Sequence, residues 1–336
     1  MDDSSQIPPD RLVELVQHDR DSARAPLEQL RAAPTDDRKA ALQRLRNAIV
    51  DEGVTVGPAV QALAAFLGDE ERSVRLTAAK LFVAIARCDP DAAESVVPPL
   101  RDRLADDEEF YFVRARSAEA LGYVALEHTE AVATPEVVAE LRLGLDFDEP
   151  EVKQKLAKAL EHVAIGDPGR LTHQVAKLAD HLADEDELVR YHLCSALAAV
   201  GCASPSSLGP AVDPLCERLA DGTPQVRGRA AEALGVFGRD ADEVVTVPSA
   251  AVDTLRSETD TETQFLADRA RFALDGWDEG VASGVADDVG SVEGIRESTA
   301  EAVEAIRTPA GEECPHCGVG LPVDSPPVCP RCGAPR

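Results

Sequence analysis

The chain has 336 residues, 62 acidic against 34 basic, giving a formal net charge of −28 with 4% aromatic residues. One compact core is not expected at this length, and no apolar run of about 18 residues could span a membrane. The first ten residues are acidic and polar, so a signal peptide is not expected, and a cytoplasmic location with reduced thiols is.

In chain order, residues 9 to 18 are expected to form a helix that shields one end of an array. Residues 22 to 51 look like a degenerate helix pair, with Leu27 and Leu30 followed by Ala40, Ala41 and Leu45. Then one phrase recurs six times: Val74-Arg75, Val113-Arg114, Val152-Lys153, Val189-Arg190, Val226-Arg227 and Leu266-Ala267, at intervals of 39, 39, 37, 37 and 40 residues. A period near forty predicts stacked helix pairs.

Within each copy, a first helix closes on a phrase such as Leu104-Ala105-Asp106 or Leu219-Ala220-Asp221, and an acidic turn follows. The second helix carries apolar or small residues at +4, +7 and +8 from the valine, one face of a 3.6-residue period. Pro58, Pro135 and Pro210 are expected to start first helices. Gly122, Gly201 and Gly235 are expected to stop second helices.

After Trp277, itself expected to be core, residues 278 to 291 read as a linker rich in small residues. Ser291 to Arg307 reads as an amphipathic helix with Val292, Ile295, Ala302, Val303 and Ile306 on one face, expected to cap the last repeat. The organisation is therefore 1–55 for capping helices and the degenerate repeat, 56–277 for the array, 278–310 for linker and helix, and 311–336 for a tail.

The tail reads Cys314-Pro-His-Cys317-Gly and Cys329-Pro-Arg-Cys332-Gly, with eleven residues between Cys317 and Cys329. Two Cys-x-x-Cys knuckles are the donor set of a closed tetrahedral thiolate site, which is structural and not catalytic. So short a segment cannot build a core, and metal binding would supply most of its folding energy. One zinc ion is the expected cofactor. Iron is the alternative, but no aromatic residue lies between the knuckles. Cys88, Cys194, Cys202 and Cys216 lack ligand spacing and are expected to be buried and inert.

These features resemble the HEAT repeat, in particular the short form typified by phycobilisome-lyase-type HEAT-like repeats, over roughly residues 56 to 276. The residues that carry the resemblance are the Asp-x-x-x-x-Val-Arg and Ala-Leu-Gly phrases. It implies an all-α solenoid of about six to seven helix pairs; the tail resembles a zinc ribbon. The acid excess, with six lysines against 28 arginines, resembles proteins of salt-in halophiles, where screening at molar salt shrinks the Debye length to about 3 Å. An ordinary acidic protein is the alternative.

Aligned on the repeat valine, the +1 column holds Arg75, Arg114, Lys153, Arg190, Arg227 and Ala267; the +3 column holds Thr77, Arg116, Lys155, His192, Arg229 and Arg269. Nine of the 34 bases fill these twelve positions and no acid does. The HEAT resemblance implies that the +1 bases pair with turn acids, here Asp69, Glu108, Asp184 and Asp221, in a ladder between repeats. For the +3 column, two readings stand: Arg116, Lys155, Arg229 and Arg269 form a strip that receives an acidic protein segment, or they form a solvated face with intrahelical pairs.

Three functions compete. A non-catalytic scaffold that binds protein partners through the solenoid follows from the repeats, with the ribbon as accessory module. Nucleic-acid association through the ribbon is opposed by its acidic balance and lack of aromatics. An enzyme is implied by resemblance to HEAT-like bilin lyases and an iron-dependent deoxyhypusine hydroxylase. The hydroxylase uses His-Glu pairs, however, and none of the seven histidines here is followed by glutamate.

Overall fold

The computed structural model describes residues 8–18, 23–240, 249–259, 263–277 and 288–308. All regular structure among them is helical. The chain divides into two compact units, Met1–Leu171 and Thr172–Arg336.

In the first unit, α1 (Pro9–His18) packs on α3 (Thr35–Glu52), which follows α2 (Arg24–Leu30) in the degenerate repeat. Then follow α4 (Val60–Ala64) with α5 (Arg72–Cys88), α6 (Pro90–Glu94) and α7 (Val97–Ala105) with α8 (Tyr111–Ala125), and α9 (Thr129–Val132) and α10 (Pro135–Leu143) with α11 (Pro150–Gly166). The long second helices α3, α5, α8 and α11 pack in succession.

The second unit repeats the plan. It pairs α12 (Val175–Ala179) with α13 (Glu187–Ala203), α14 (Val212–Arg218) with α15 (Pro224–Asp240), and α16 (Ser249–Glu258) with α17 (Gln264–Trp277). Here α13, α15 and α17 pack in succession. A last helix, α18 (Val292–Arg307), packs against α13.

The repeat valines explain the stacking. Val74, Val113, Val152, Val189, Val226 and Leu266 are all fully buried. Each stands in the first turn of a second helix. Burial of such a side chain contributes roughly 1.5–3 kcal/mol. Alanine-rich faces, such as Ala115, Ala118 and Ala120 in α8, let neighbouring helices approach closely.

Five expectations about punctuation need correction. Gly122, Gly201 and Gly235 lie inside α8, α13 and α15 and do not end them. At Gly122 an added Cβ would stand 2.8 Å from Ala159 Cα, and at Gly235 2.8 Å from Ala273 Cα. Gly122 and Gly235 thus permit backbone contact between successive second helices, whereas Gly201 lies against the Leu208 side chain. Pro135 begins α10 behind the Thr134 N-cap as expected, but Pro58 and Pro210 sit in 3-10 turns just ahead of α4 and α14. Trp277 ends α17 with its ring against Gly238, where no Cβ would fit.

The amphipathic helix also lies elsewhere than expected. Beyond packing on α13, α18 accepts hydrogen bonds from Arg229 of α15 and Arg269 of α17. It therefore crosses the second helices of the unit rather than closing the last repeat alone. Ser291 caps its first turn by accepting from Gly294 N–H, and Ile295, Ala302 and Ile306 are its buried side.

Candidate partner-docking site

The +1 bases build a ladder from one repeat to the next. Arg75 Nε and Nη2 grip both carboxylate oxygens of Glu109, at 2.6 and 2.9 Å, while Nη1 donates to the Asp69 and Glu70 carbonyls of its own turn. Arg190 repeats this on Asp221, at 2.7 and 3.0 Å, and on the Asp184 and Glu185 carbonyls. Arg114 donates to the Leu104 carbonyl and reaches Glu140; Arg227 donates to the Asp221 carbonyl and pairs with Glu258. Lys153 holds the corresponding, half-buried place in α11.

The ladder's acid in the turn before α8 is Glu109, not Glu108 as expected. Glu109 points inward with 1% of its side chain exposed, whereas Glu108 is exposed. Burial pushes the Glu109 pKa up, but hydrogen bonds from Arg75, the Phe110 N–H and Arg103 hold it below the usual carboxylate range. The degenerate repeat joins the same ladder: Arg38 donates to Asp69 Oδ1 at 3.0 Å and to the Ala33 carbonyl.

The +3 column makes two clusters. In the first unit, Glu119 on α8 accepts from Arg116 at 2.7 Å, Lys155 at 3.1 Å and Lys158 at 3.4 Å. Lys158 also donates to Tyr123 Oη and lies over its ring. Burial would raise the Glu119 pKa, yet Lys155, Lys158 and Arg116 together pull it down to about 2. Lys155 is lowered by burial against the pull of Glu119. One turn along α5, the Lys80 pKa is lowered by burial and by the positive charges of Arg116 and Arg46. Thr77, at +3 of α5, turns back to the Ser73 carbonyl.

In the second unit, Glu232 on α15 accepts from Arg229 at 2.6 Å, Arg269 at 2.8 Å and the Gly290 N–H at 2.9 Å. Burial acts to raise its pKa, but Arg229 and Arg269 bring it below the usual range. Arg229 is raised: the cost of its burial is outweighed by Tyr191 and Glu232. Its Nη2 stands 3.0 Å from the Ile295 carbonyl, 2.8 Å from Ser298 Oγ and 3.2 Å from Thr299 Oγ1. Arg269 lies 3.6 Å from the Phe265 ring centroid and donates to Ser298 at 3.0 Å. His192, the +3 residue of α13, is buried.

Arg229 and Arg269 were expected to face a groove; they are instead buried beneath α18, with side chains 0% and 6% exposed. Arg116 remains 32% exposed, and Lys155 and Lys158 15% and 17%. The alternative of a solvated face with intrahelical pairs captures the Arg116–Glu119 and Arg229–Glu232 spacing but not the burial of both acids. The two glutamates follow their bases by three residues, in Arg116-Ser-Ala-Glu119 and Arg229-Ala-Ala-Glu232. That repeated phrase was the available signal.

Among the other cysteines, Cys194 is buried and Cys202 and Cys216 are half-buried; burial pushes their thiols to about 12, about 12 and about 11. Such thiols stay protonated and unreactive. Cys88, by contrast, is exposed at the end of α5. Cys314, Cys317, Cys329 and Cys332 lie outside the described residues. Among the described residues, no group of three or more His, Cys, Asp or Glu side chains is placed to hold a metal ion. No helix among them is long and apolar enough to cross a membrane.

Paired helices with a forty-residue period and an inter-repeat ladder define an α-helical repeat protein of the HEAT-like solenoid class. The family model of the sister chromatid cohesion protein PDS5 matches residues 43–251, and the chain belongs to this family.

Among solved structures, a designed armadillo repeat protein is similar over 65% of this chain and 98% of its own, at 18% identity and a TM-score of 0.57. An engineered protein matches over 89% of this chain and 83% of its own, at 22% identity and a TM-score of 0.60. A second designed armadillo repeat protein, solved in complex with the peptide (KR)4, matches over 68% of this chain and 98% of its own, at 19% identity and a TM-score of 0.50. These likenesses establish the fold. No curated protein matches the chain.

Proposed function

We propose that the chain is a non-catalytic scaffold that holds protein partners on the faces of its second helices. The C-terminal ribbon, with Cys314, Cys317, Cys329 and Cys332 around one structural zinc ion, is its accessory interaction module. The observation that carries the docking role is the α8–α11 face, where Arg116, Lys155 and Lys158 share the single carboxylate of Glu119 in a chain of net charge −28. Such a concentration of positive charge in an acidic molecule steers a complementary partner to one place.

The family description speaks of cohesion, a holding task, and this supports the scaffold role. One structural neighbour carries a basic peptide, (KR)4; here the available face is itself basic, so the complementary segment is acidic. The four ribbon thiolates suit zinc by the chemistry of the donor set, which would fold a segment too short for a core.

The test is affinity capture from lysate with the full chain, with a version ending at Thr308 that keeps α18, and with R116E/K155E in the full chain. Protein partners lost on charge reversal belong to the α8–α11 face, and those lost on truncation to the tail. Capture of the same proteins by all three would overturn both assignments.

A further inference from the structure

The clusters around Glu119 and Glu232 are the same construction used twice. Each acid stands six residues after its repeat valine, accepts from the +3 base of its own helix, and accepts again from the +3 base of the next second helix. Each cluster carries more cations than carboxylates.

They differ in what lies over them. At Glu232 the surplus donors are consumed by α18, whose Ile295 carbonyl, Ser298 Oγ and Thr299 Oγ1 form one turn of acceptors at i, i+3 and i+4. At Glu119 there are three cations and no such cover among the described residues. Among the described residues, Arg116 and Lys155 make no further hydrogen bond, and Lys158 bonds outward only to Tyr123. Lys80 adds a fourth cation, set against Arg116 and Arg46. Lys80, Lys155 and Lys158 are half of the six lysines in the chain.

Taking the scaffold role above as its premise, we propose that this face receives an acidic amphipathic helix of a partner protein, seated as α18 is seated on the second unit. Where α18 offers neutral acceptors to the surplus cations, the partner helix offers carboxylates at i, i+3 and i+4, because the surplus here is larger. The remainder of this surface, at −28 overall, repels an acidic helix, so attachment elsewhere is disfavoured. The chain's own helix thereby shows what the partner looks like: a helical segment whose polar turn lies over the +3 column.

The experiment uses the full chain and a fluorescein-labelled synthetic helix of about 18 residues, with leucines on one face and glutamates at i, i+3 and i+4 beside them; the length follows α18 at 1.5 Å per residue. A peptide with lysine in place of glutamate is the control. The expected result is saturable binding of the acidic peptide, weakening as salt rises, with affinity reduced about tenfold or more by R116E/K155E. K80E leaves the Glu119 pairs intact and is expected to weaken binding as well, so loss of fold cannot account for the effect; circular dichroism checks that the helices persist.

Absent binding, or binding unchanged by both variants, would overturn the assignment. If affinity instead rose with S298A, which loosens α18, and was unchanged by K80E, the peptide would be displacing α18 from the second unit, which also overturns it. Failure here with R116E/K155E still losing captured proteins would leave the scaffold role standing and remove the helical acidic partner; failure of both would remove the two together.

Discussion

Arg229 and Ser298, 69 residues apart, meet at 2.8 Å in a setting where the arginine has no exposed side-chain surface. The same guanidinium holds Glu232 at 2.6 Å. Replacing Arg229 by alanine leaves Glu232 buried with less compensation, which typically costs about 3–5 kcal/mol. A lowered melting temperature is expected, together with faster amide exchange across 292–307. Exchange there at the native rate would show that α18 is held by its apolar side alone.

The ladder predicts a graded response. Arg75→Ala removes a two-pronged bond to Glu109 and two carbonyl contacts, and should cost about 2–4 kcal/mol in urea unfolding. Arg11→Ala removes an exposed pair with Glu14 and should change stability by less than about 0.5 kcal/mol. Equal effects would remove the ladder from the account of stability.

Acid should loosen the α8–α11 contact. Glu119 is held at about 2 against an ordinary 4.5, so its contribution is present above pH 4.5 and is lost as pH falls from there towards 2. At neutral pH it is on the order of 3 kcal/mol. Glu119→Gln should lower stability at pH 7 and flatten the acid limb between pH 4.5 and 2. An unchanged limb would mean that other carboxylates, such as Glu109 and Glu232, govern acid unfolding.

Helix propensity alone favours Gly122→Ala by about 1 kcal/mol. The contact with Ala159 reverses the sign, since an added methyl at 2.8 Å from a backbone carbon forces the helices apart. A net destabilisation of about 1–3 kcal/mol is expected from thermal or urea melts. Stabilisation would show that the pair can slide apart freely.

The proposed ribbon predicts one zinc ion per chain by native mass spectrometry. Cys314→Ser should abolish retention, while serine at Cys88, Cys194, Cys202 or Cys216 should leave it unchanged. Iron at the same stoichiometry would correct the metal.

The helical repeats were legible because the signal is local: a valine, a base three or four residues from small side chains, and a turn acid, all within one repeat. What escaped was set across repeats or farther. Glu109 and Glu108 are indistinguishable by type, and the choice between them depends on which points inward at Arg75. Gly122 resembles a helix stop until the backbone of Ala159 is placed against it. Arg229 looks like a surface base because the segment that covers it lies more than sixty residues on. Cys88 sits on the last turn of α5, where a short extension of the helix pattern hides its exposure.

Because Arg75 serves the turn of the following repeat and Arg190 does likewise, these two repeats each carry a plug that fits a socket in the next. A whole copy can be inserted or excised with plug and socket still matched, whereas a cut at mid-repeat strands a buried carboxylate. Lengthening by entire cassettes is thus the change this architecture tolerates best.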